Sequence, residues 1–425
     1  MSIENRLSAL DILTSFFDDG SFNETDAYLK GNSDFAEAVT GYGEIDGMPV
    51  YAFAQNVDIC GGAMSKAQAE KIKKLYTLAL KTGAPIVGFY NSNGGRIEQK
   101  YELLAAYGDI LKSVSSLSGV VPQISVVLGT CLGTSAITAA SADFIIMHKD
   151  AAFSVDTVGS DNDAQFNANH GLANFVCDSD EECIQKAKAL LSYFPSNNLD
   201  SAPVFESLEA KPDDCIGSYI ADEGSVLSVN KDFGDACTAF GRVGGATVGI
   251  INTNGKAIDC KSAKKICKMV RFCDAFSIPV ITFVDSASFE SVNAAVKVTS
   301  AYTEATTAKI SLITGQAVGV VYIALASTSS DFVYALNDAV VSPVSPKAAA
   351  FILDDNIANL PAEQQEEYAQ KFIKENLTAQ KAAEDGYVDD IIYDYSEARA
   401  KILSALNILS TKRVSTLPKK HSTIN

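Results

Sequence analysis

A chain of 425 residues with 47% apolar content can bury two or three sizeable cores, which excludes a small single-core fold and a disordered chain. Lys and Arg number 34 against 52 Asp and Glu, a formal charge of −18, so a general nucleic-acid surface, which needs clustered positive charge, is not expected. The nine cysteines form no C-x-x-C pair, which argues against a zinc ribbon, a disulfide framework or any other metal site and for reduced thiols.

Residues 1–40 read as a helical lead-in, with Leu7, Leu10, Leu13, Phe16 and Phe17 at near-helical spacing and Gly20 as the stop. This opening has neither a basic leader nor a clean apolar core of the secretory kind, and the most apolar run, 309–327, is broken by Ser311, Thr314, Gly315 and Gln316. A cytoplasmic chain that does not span a membrane is expected. Gly41 to Asn56 then reads as two strands hinged at Asp46-Gly47, a tight-hairpin signal. Ser65 to Gln68 is a capping box that opens a helix with Ala69, Ile72, Tyr76 and Ala79 on one face. PIVGFY (85–90) predicts a buried strand running into the turn Asn91 to Gly95, with a helix after it through Tyr107.

The next stretch, Pro122 to Phe144, is an apolar run broken at Gly129 and Gly133, and it has a twin in Lys309 to Phe332 with Gly315 and Gly319 at the same places. A strand that feeds a glycine turn and a helix start leaves outward N–H groups able to hold an oxyanion. Earlier elements recur too: Gly43 matches Gly241, Gly47 matches Gly245 and Pro85 matches Pro279, with the offset shrinking from 198 residues at Gly43 to 186 at Gly129. So long a period means duplicated domains rather than a solenoid. We expect an α/β protein of two similar domains related by a pseudo-twofold, 41–235 with an acidic connector at its end and 236–425.

Ordered pieces through both halves carry a family resemblance. They include Gly61-Gly62-Ala63-Met64-Ser65, NSNGGRI (91–97), GVVPQIS (119–125) and Gly129 to Ser135, then Phe240-Gly241-Arg242, KMVRFCDAFSIPVITFVD (268–285), Gly315 to Tyr322, GYVDDII (386–392) and PKKH (418–421). In these the chain resembles the carboxyltransferase subunits of biotin-dependent acyl-CoA carboxylases and of the related sodium-pumping decarboxylases. The resemblance implies two tandem crotonase-like domains built of ββα units, the first holding a short-chain acyl-CoA and the second biotin from a separate carrier protein. It also implies a homodimer or higher oligomer, with a biotin carboxylase or a membrane decarboxylase subunit as further partner. By position it assigns Gly133 and Thr134 as amide donors to the thioester and Val320 and Val321 as donors to biotin. Gly94, Gly95, Arg96, Ser135 and Gly319 are further candidates for substrate binding, and Arg96, an Arg beside a glycine turn, is a candidate for a CoA phosphate.

The chain departs from the family where Gly-Gly-Ala is usual: Gly133-Thr134-Ser135 and Gly319-Val320-Val321 stand there instead, and β-branched side chains narrow the approach. Asp285-Ser286-Ala287-Ser288-Phe289 replaces an aspartate-x-Pro-Gly-Phe element, the glycine-rich segment that follows it in the family is largely missing before Ala301, and the segment after Phe153 is short. Rival readings share these residues. A serine peptidase would use Ser135, a hydratase or isomerase would need a carboxylate such as Glu98 or Asp156, and a degenerate scaffold subunit would keep the fold without chemistry.

Overall fold

A computed structural model describes residues 7–31, 35–155, 162–345, 348–349, 352 and 361–414. Its contacts divide the chain into two compact units, Met1–Pro203 and Val204–Asn425.

In the first unit, helix α1 (Ala9–Phe16) buries Ile12, Leu13 and Phe16 and sets Phe16 edge-on to Phe89, ring centroids 5.2 Å apart. The sheet is built from β1 (Asn23–Thr25), β2 (Ala38–Ile45), β3 (Met48–Gln55), β4 (Ile86–Ser92), β5 (Gln123–Leu132), β6 (Phe144–His148), β7 (Ala152–Ser154) and β8 (Phe175–Cys177). The strand order is β1-β2-β3-β4-β5-β6-β8, with β7 beside the end of β5. Asp46 and Gly47 both adopt positive φ, as the predicted hairpin requires, and pair Ile45 with Met48. From β3 onward the pairs are parallel, so helices must cross over the sheet. Helix α2 (Lys66–Thr82) starts where Ser65 Oγ accepts from Gln68 N at 3.1 Å, and its Ile72, Leu75 and Ala79 pack with Tyr107, Ile110 and Val114 of α3 (Tyr101–Leu117). Among the described residues the unit also holds α4 (Thr134–Ala140), α5 (Ala164–Asn169) and α6 (Asp180–Leu191).

The second unit repeats this plan with β9 (Leu227–Val229), β10 (Cys237–Val243), β11 (Ala246–Asn252), β12 (Val280–Ser286), β13 (Lys309–Val318), β14 (Phe332–Leu336), β15 (Val340–Ser342) and β16 (Asp390–Ile392). Its order is β9-β10-β11-β12-β13-β14-β16, with β15 beside the end of β13. Helices α7 (Cys260–Ala275), α8 (Val292–Glu304) and α9 (Val320–Leu325) take the places of α2, α3 and α4. After them come α10 (Ala362–Asn376), α11 (Ala379–Glu384) and α12 (Tyr395–Leu409). The last of these lays Ala398, Ile402 and Ala405 on the core beside Ile310, Leu312 and Tyr334.

The division between units falls earlier than the expected boundary after residue 235. Residues 204–235 belong to the second unit because β9 pairs antiparallel with β10, Leu227 opposite Phe240, and because Asp222 ties this segment to the hairpin and to α12. The buried Asp222 carboxylate accepts from Gly244 N (3.1 Å), Gly245 N (2.7 Å) and Arg399 Nη2 (2.7 Å), and Arg399 donates to the carbonyls of Ile220 and Leu208. A buried carboxylate so fully bonded fixes the geometry of what it joins.

Candidate active site

Strand β5 ends at Gly133, whose φ of 65° and ψ of −134° are open to glycine and costly for any residue with a Cβ. The strand's last residues pair with β7, Leu132 opposite Ser154, and Gly133 N donates to the Ser154 carbonyl at 2.9 Å. The chain then turns into α4. Gly319 ends β13 in the same way, with φ 52° and ψ −117°, Val318 opposite Ser342, and its N–H bonded to the Ser342 carbonyl at 2.8 Å before α9 begins.

This clamp corrects one expectation. The Gly133 amide, assigned as a donor, is spent on Ser154, just as Gly319 is on Ser342. The amides left open are the next two, since helix-start N–H groups have no partner within the helix. Among the described residues the N–H groups of Thr134 and Ser135 in one unit, and of Val320 and Val321 in the other, have no protein acceptor. Each turn therefore offers a pair of adjacent main-chain donors at the positive end of a helix, a site for developing negative charge.

Around the first turn the side chains are locked. The Ser135 side chain is buried and its Oγ lies 2.9 Å from Tyr107 Oη, which in turn donates to the Gly94 carbonyl at 3.3 Å. Tyr107 thus holds the 94–96 turn beside the 133–135 turn. The Gly94 N–H is held by Ser92 Oγ at 3.2 Å and the Arg96 N–H by the Met64 carbonyl at 2.8 Å, whereas the Gly95 N–H has no partner among the described residues. Gly95 also abuts Leu103: an added Cβ would stand 2.6 Å from Leu103 Cδ2.

Arg96 does not present a free guanidinium. Its Nη1 donates to the buried Glu37 at 2.7 Å and its Nε to Glu98, which raises the pKa of the guanidinium and holds the Glu98 carboxyl below its ordinary range through that hydrogen bond. These two carboxylates brace Arg96 against the turn, with its side chain 21% exposed. Glu37 also accepts from Ser65 Oγ, while Gln68 Nε2 donates to the Glu37 carbonyl at 2.9 Å and to that of Gly62 at 3.2 Å. This buried network sits behind the turn.

The second turn is rimmed by apolar side chains: Val320 is 51% exposed and Ile323 56%, while the Val321 side chain is fully buried. A Cβ on Gly319 would stand 3.0 Å from the Pro343 carbonyl oxygen, so the turn is closely backed.

Comparison with known proteins decides the family. The model for the carboxyl transferase domain matches residues 3–424. The chain belongs to the carboxyltransferase family. This carboxyltransferase is 33% identical to the methylmalonyl-CoA decarboxylase subunit alpha of Veillonella parvula, over 99% of the chain and 93% of the relative. It is 30% identical to the propionyl-CoA carboxylase carboxyltransferase subunit of Haloferax mediterranei, over 99% of the chain and 94% of the relative. Among solved structures, the transcarboxylase 12S core, a hexamer with methylmalonyl-CoA bound, superposes with a TM-score of 0.91 at 30% identity, covering 98% of this chain and 92% of that one. The first alignment spans 481 positions, so that relative carries insertions which the 425 residues here lack.

For the carboxyltransferase the rival chemistries lose their footing. Ser135 is bonded to a tyrosine rather than a histidine; His148 Nδ1 accepts from Asp150 N at 3.1 Å, and His170 lies on Phe166. Glu98 is paired with Arg96, and Asp156 lies outside the described residues, as do Lys419, Lys420 and His421 of the basic end. Among the described residues there is no group of three or more His, Cys, Asp or Glu placed to hold a metal ion, and no helix long and apolar enough to cross a membrane. All nine cysteines are free thiols. The clamps from Ser154 and Ser342 and the Glu37 network escaped sequence reasoning; the capping box at Ser65 was the one signal near the latter.

Proposed function

We propose that this carboxyltransferase moves a carboxyl group between a short-chain acyl-CoA and biotin on a separate carrier protein, in the carboxylation or the decarboxylation direction, with one amide turn for each reacting carbonyl. The observation that carries the reading is the duplicated turn: in each unit a clamped glycine is followed by two adjacent N–H groups without a protein acceptor among the described residues. Thr134 and Ser135 donate to the thioester oxygen as it gains enolate charge, and the Gly95 N–H, held nearby through Tyr107, is a third donor on the same side. Gly94 shapes that turn without lending its own amide. Val320 and Val321 donate to the ureido oxygen, and Gly319 sets their direction. When bound, biotin supplies the ureido group that carries the carboxyl. The second turn suits it, since the open amides match a carbonyl oxygen and the aliphatic rim of Val320 and Ile323 matches an apolar bicyclic ring. Preorganised main-chain donors of this kind supply the largest share of rate enhancement where charge develops on oxygen.

Assembly belongs to the same reading. Beside the first turn Ile97, Tyr101 and Leu104 are 83%, 83% and 66% exposed; beside the second, Val292 and Val296 join Val320 and Ile323. Apolar faces flanking both sites support a homodimer or higher oligomer that covers them. The carrier and a biotin carboxylase, or a membrane decarboxylase subunit, complete the cycle.

The test is to incubate the purified protein with free biotin and malonyl-, methylmalonyl- and glutaconyl-CoA and to follow loss of the carboxyl group. Slow, biotin-dependent decarboxylation of at least one is expected. No turnover across the panel, with no CoA binding by calorimetry, would leave a scaffold subunit as the correct reading.

A further inference from the structure

Both amide turns are reached through the same irregularity. In the pairing of β4 with β5, Tyr90 faces Val127 and Ser92 faces Cys131, so Leu128, Gly129 and Thr130 stand against the single residue Asn91. In the pairing of β12 with β13, Val284 faces Ile313 and Ser286 faces Ala317, so Thr314, Gly315 and Gln316 stand against the single residue Asp285. The side chain of the lone residue fills each bulge: a Cβ on Gly129 would collide with the Asn91 amide, and a Cβ on Gly315 with the Asp285 carboxylate. The backbone of that lone residue is held as well. Asn91 N donates to Gln55 Oε1 at 3.0 Å, and Asp285 N to Thr253 Oγ1 at 2.7 Å. On the Asp285 side, Oδ1 also accepts from Gln316 N at 2.9 Å, taking up an amide that the bulge would otherwise strand. In each case the turn glycine, Gly133 or Gly319, lies four residues after the bulge glycine.

A bulge bends its strand and redirects the chain beyond it. We propose that Asn91 and Asp285 are positioning residues for the two amide turns, each side chain wedged into its bulge so that the strand delivers the open amides at the right angle and height. Neither residue touches the reacting atoms; each acts through the strand end that carries the donors. The device is duplicated in geometry but not in chemistry: an amide serves the acyl-CoA turn and a carboxylate, bonded to Gln316 N, the biotin turn.

The inference rests on the reading of both turns as oxyanion sites, and its test keeps the two apart. Hydrogen–deuterium exchange of the full-length protein is followed in segments 128–136 and 314–322 for Asp285→Ala, Asp285→Asn and Asn91→Ala, beside kinetics with free biotin and acyl-CoA varied separately. Asp285→Ala is expected to speed exchange in 314–322, on the order of tenfold, and to leave 128–136 unchanged, because a bulge without its wedge opens locally. In turnover it lowers kcat/KM for biotin on the order of tenfold to a hundredfold, the scale of a misplacement near 1 Å, and spares KM for acyl-CoA. Asp285→Asn, which keeps the acceptor for Gln316 N, restores both. Asn91→Ala produces the converse pattern in 128–136. Unchanged exchange in 314–322 for Asp285→Ala, or equal acceleration in both segments, would overturn the inference whether or not the wild type turns over. Inactivity of the wild type would count against the proposed function alone.

Discussion

Gly319→Ala probes the amide turn most directly, because the backbone there occupies φ 52° and ψ −117° and is closely backed. Forcing a Cβ into that region costs about 1–3 kcal/mol. The new methyl would also stand 3.0 Å from the Pro343 carbonyl oxygen, so Pro343 must give by a few tenths of an ångström. If the fold absorbs the strain, the melting temperature drops by roughly 2–12 °C, taking 2–4 °C per kcal/mol for a unit of this size. If the turn absorbs it by rotating its peptide, the Val320 and Val321 donors lose their aim, and losing one oxyanion donor lowers kcat by about 10²–10³. Gly133→Ala, with φ 65° and ψ −134° but nothing within 4 Å of the added Cβ, carries the strain without the contact, so it should lose less stability than Gly319→Ala.

The assay is biotin-dependent decarboxylation of the best substrate from the panel, with each variant also measured for thermal unfolding. A loss near the predicted size is expected in both variants, chiefly through biotin kinetics for Gly319→Ala and through acyl-CoA kinetics for Gly133→Ala. A folded Gly319→Ala protein that keeps kcat within about twofold, far short of a lost donor, would refute the assignment of these amides.

Arg399→Met leaves the Asp222 carboxylate buried with two backbone donors and no cation, which should cost about 3–5 kcal/mol and lower the melting temperature by roughly 10 °C; a shift under about 2 °C would show that the pair does not hold 204–225 to α12. Ser135→Ala removes only the 2.9 Å contact with Tyr107, worth about 0.5–1.5 kcal/mol, so most of the turnover should survive and a serine-reactive phosphonate should not label the wild type. Labelling lost in the variant would restore the peptidase reading. Burial pushes the Cys267 thiol up from its ordinary 9.0 to about 11, with Arg271 and Lys297 opposing the rise. Because the folded pKa lies above the unfolded one, the contribution is complete below pH 9 and is lost as pH rises through about 11. The urea midpoint of Cys267→Val should therefore fall less between pH 9 and 11 than that of the wild type, and parallel curves would contradict this.

Local rules were readable where one side chain or one turn decides the outcome. Asp46-Gly47 makes its hairpin, Ser65 caps its helix, and the matched glycines at 129, 133, 315 and 319 mark duplicated strand ends. What could not be read depends on partners distant in sequence. Ser154 and Ser342 reach the turns from three-residue strands, too short to show a period of two, and Ser154 claims the Gly133 amide assigned to the thioester. Arg96 beside a glycine turn gives no sign in the sequence of its pairing with Glu37, 59 residues away and buried. The acidic stretch before residue 235 looks like connector because its anchoring partner, Arg399, lies 177 residues beyond Asp222.

The departures at 134 and 320 come down to the same distinction between side chain and backbone. An oxyanion site made of N–H groups depends on where the peptide planes point, and those are set by Gly133 and Gly319, by the clamps to Ser154 and Ser342, and by the bulges at Asn91 and Asp285. Replacing the next glycine by Thr134 or Val320 leaves these supports untouched, since a helix start accepts any L-residue. The added methyl groups change only what fits above the amides, and Val320 is 51% exposed. Glycine at 134 or 320 should therefore widen the range of acyl or ring substituents accepted while leaving the turnover of the smallest substrate nearly unchanged. A collapse of turnover in Val320→Gly would mean that the side chain, not the peptide, had been holding the site in shape.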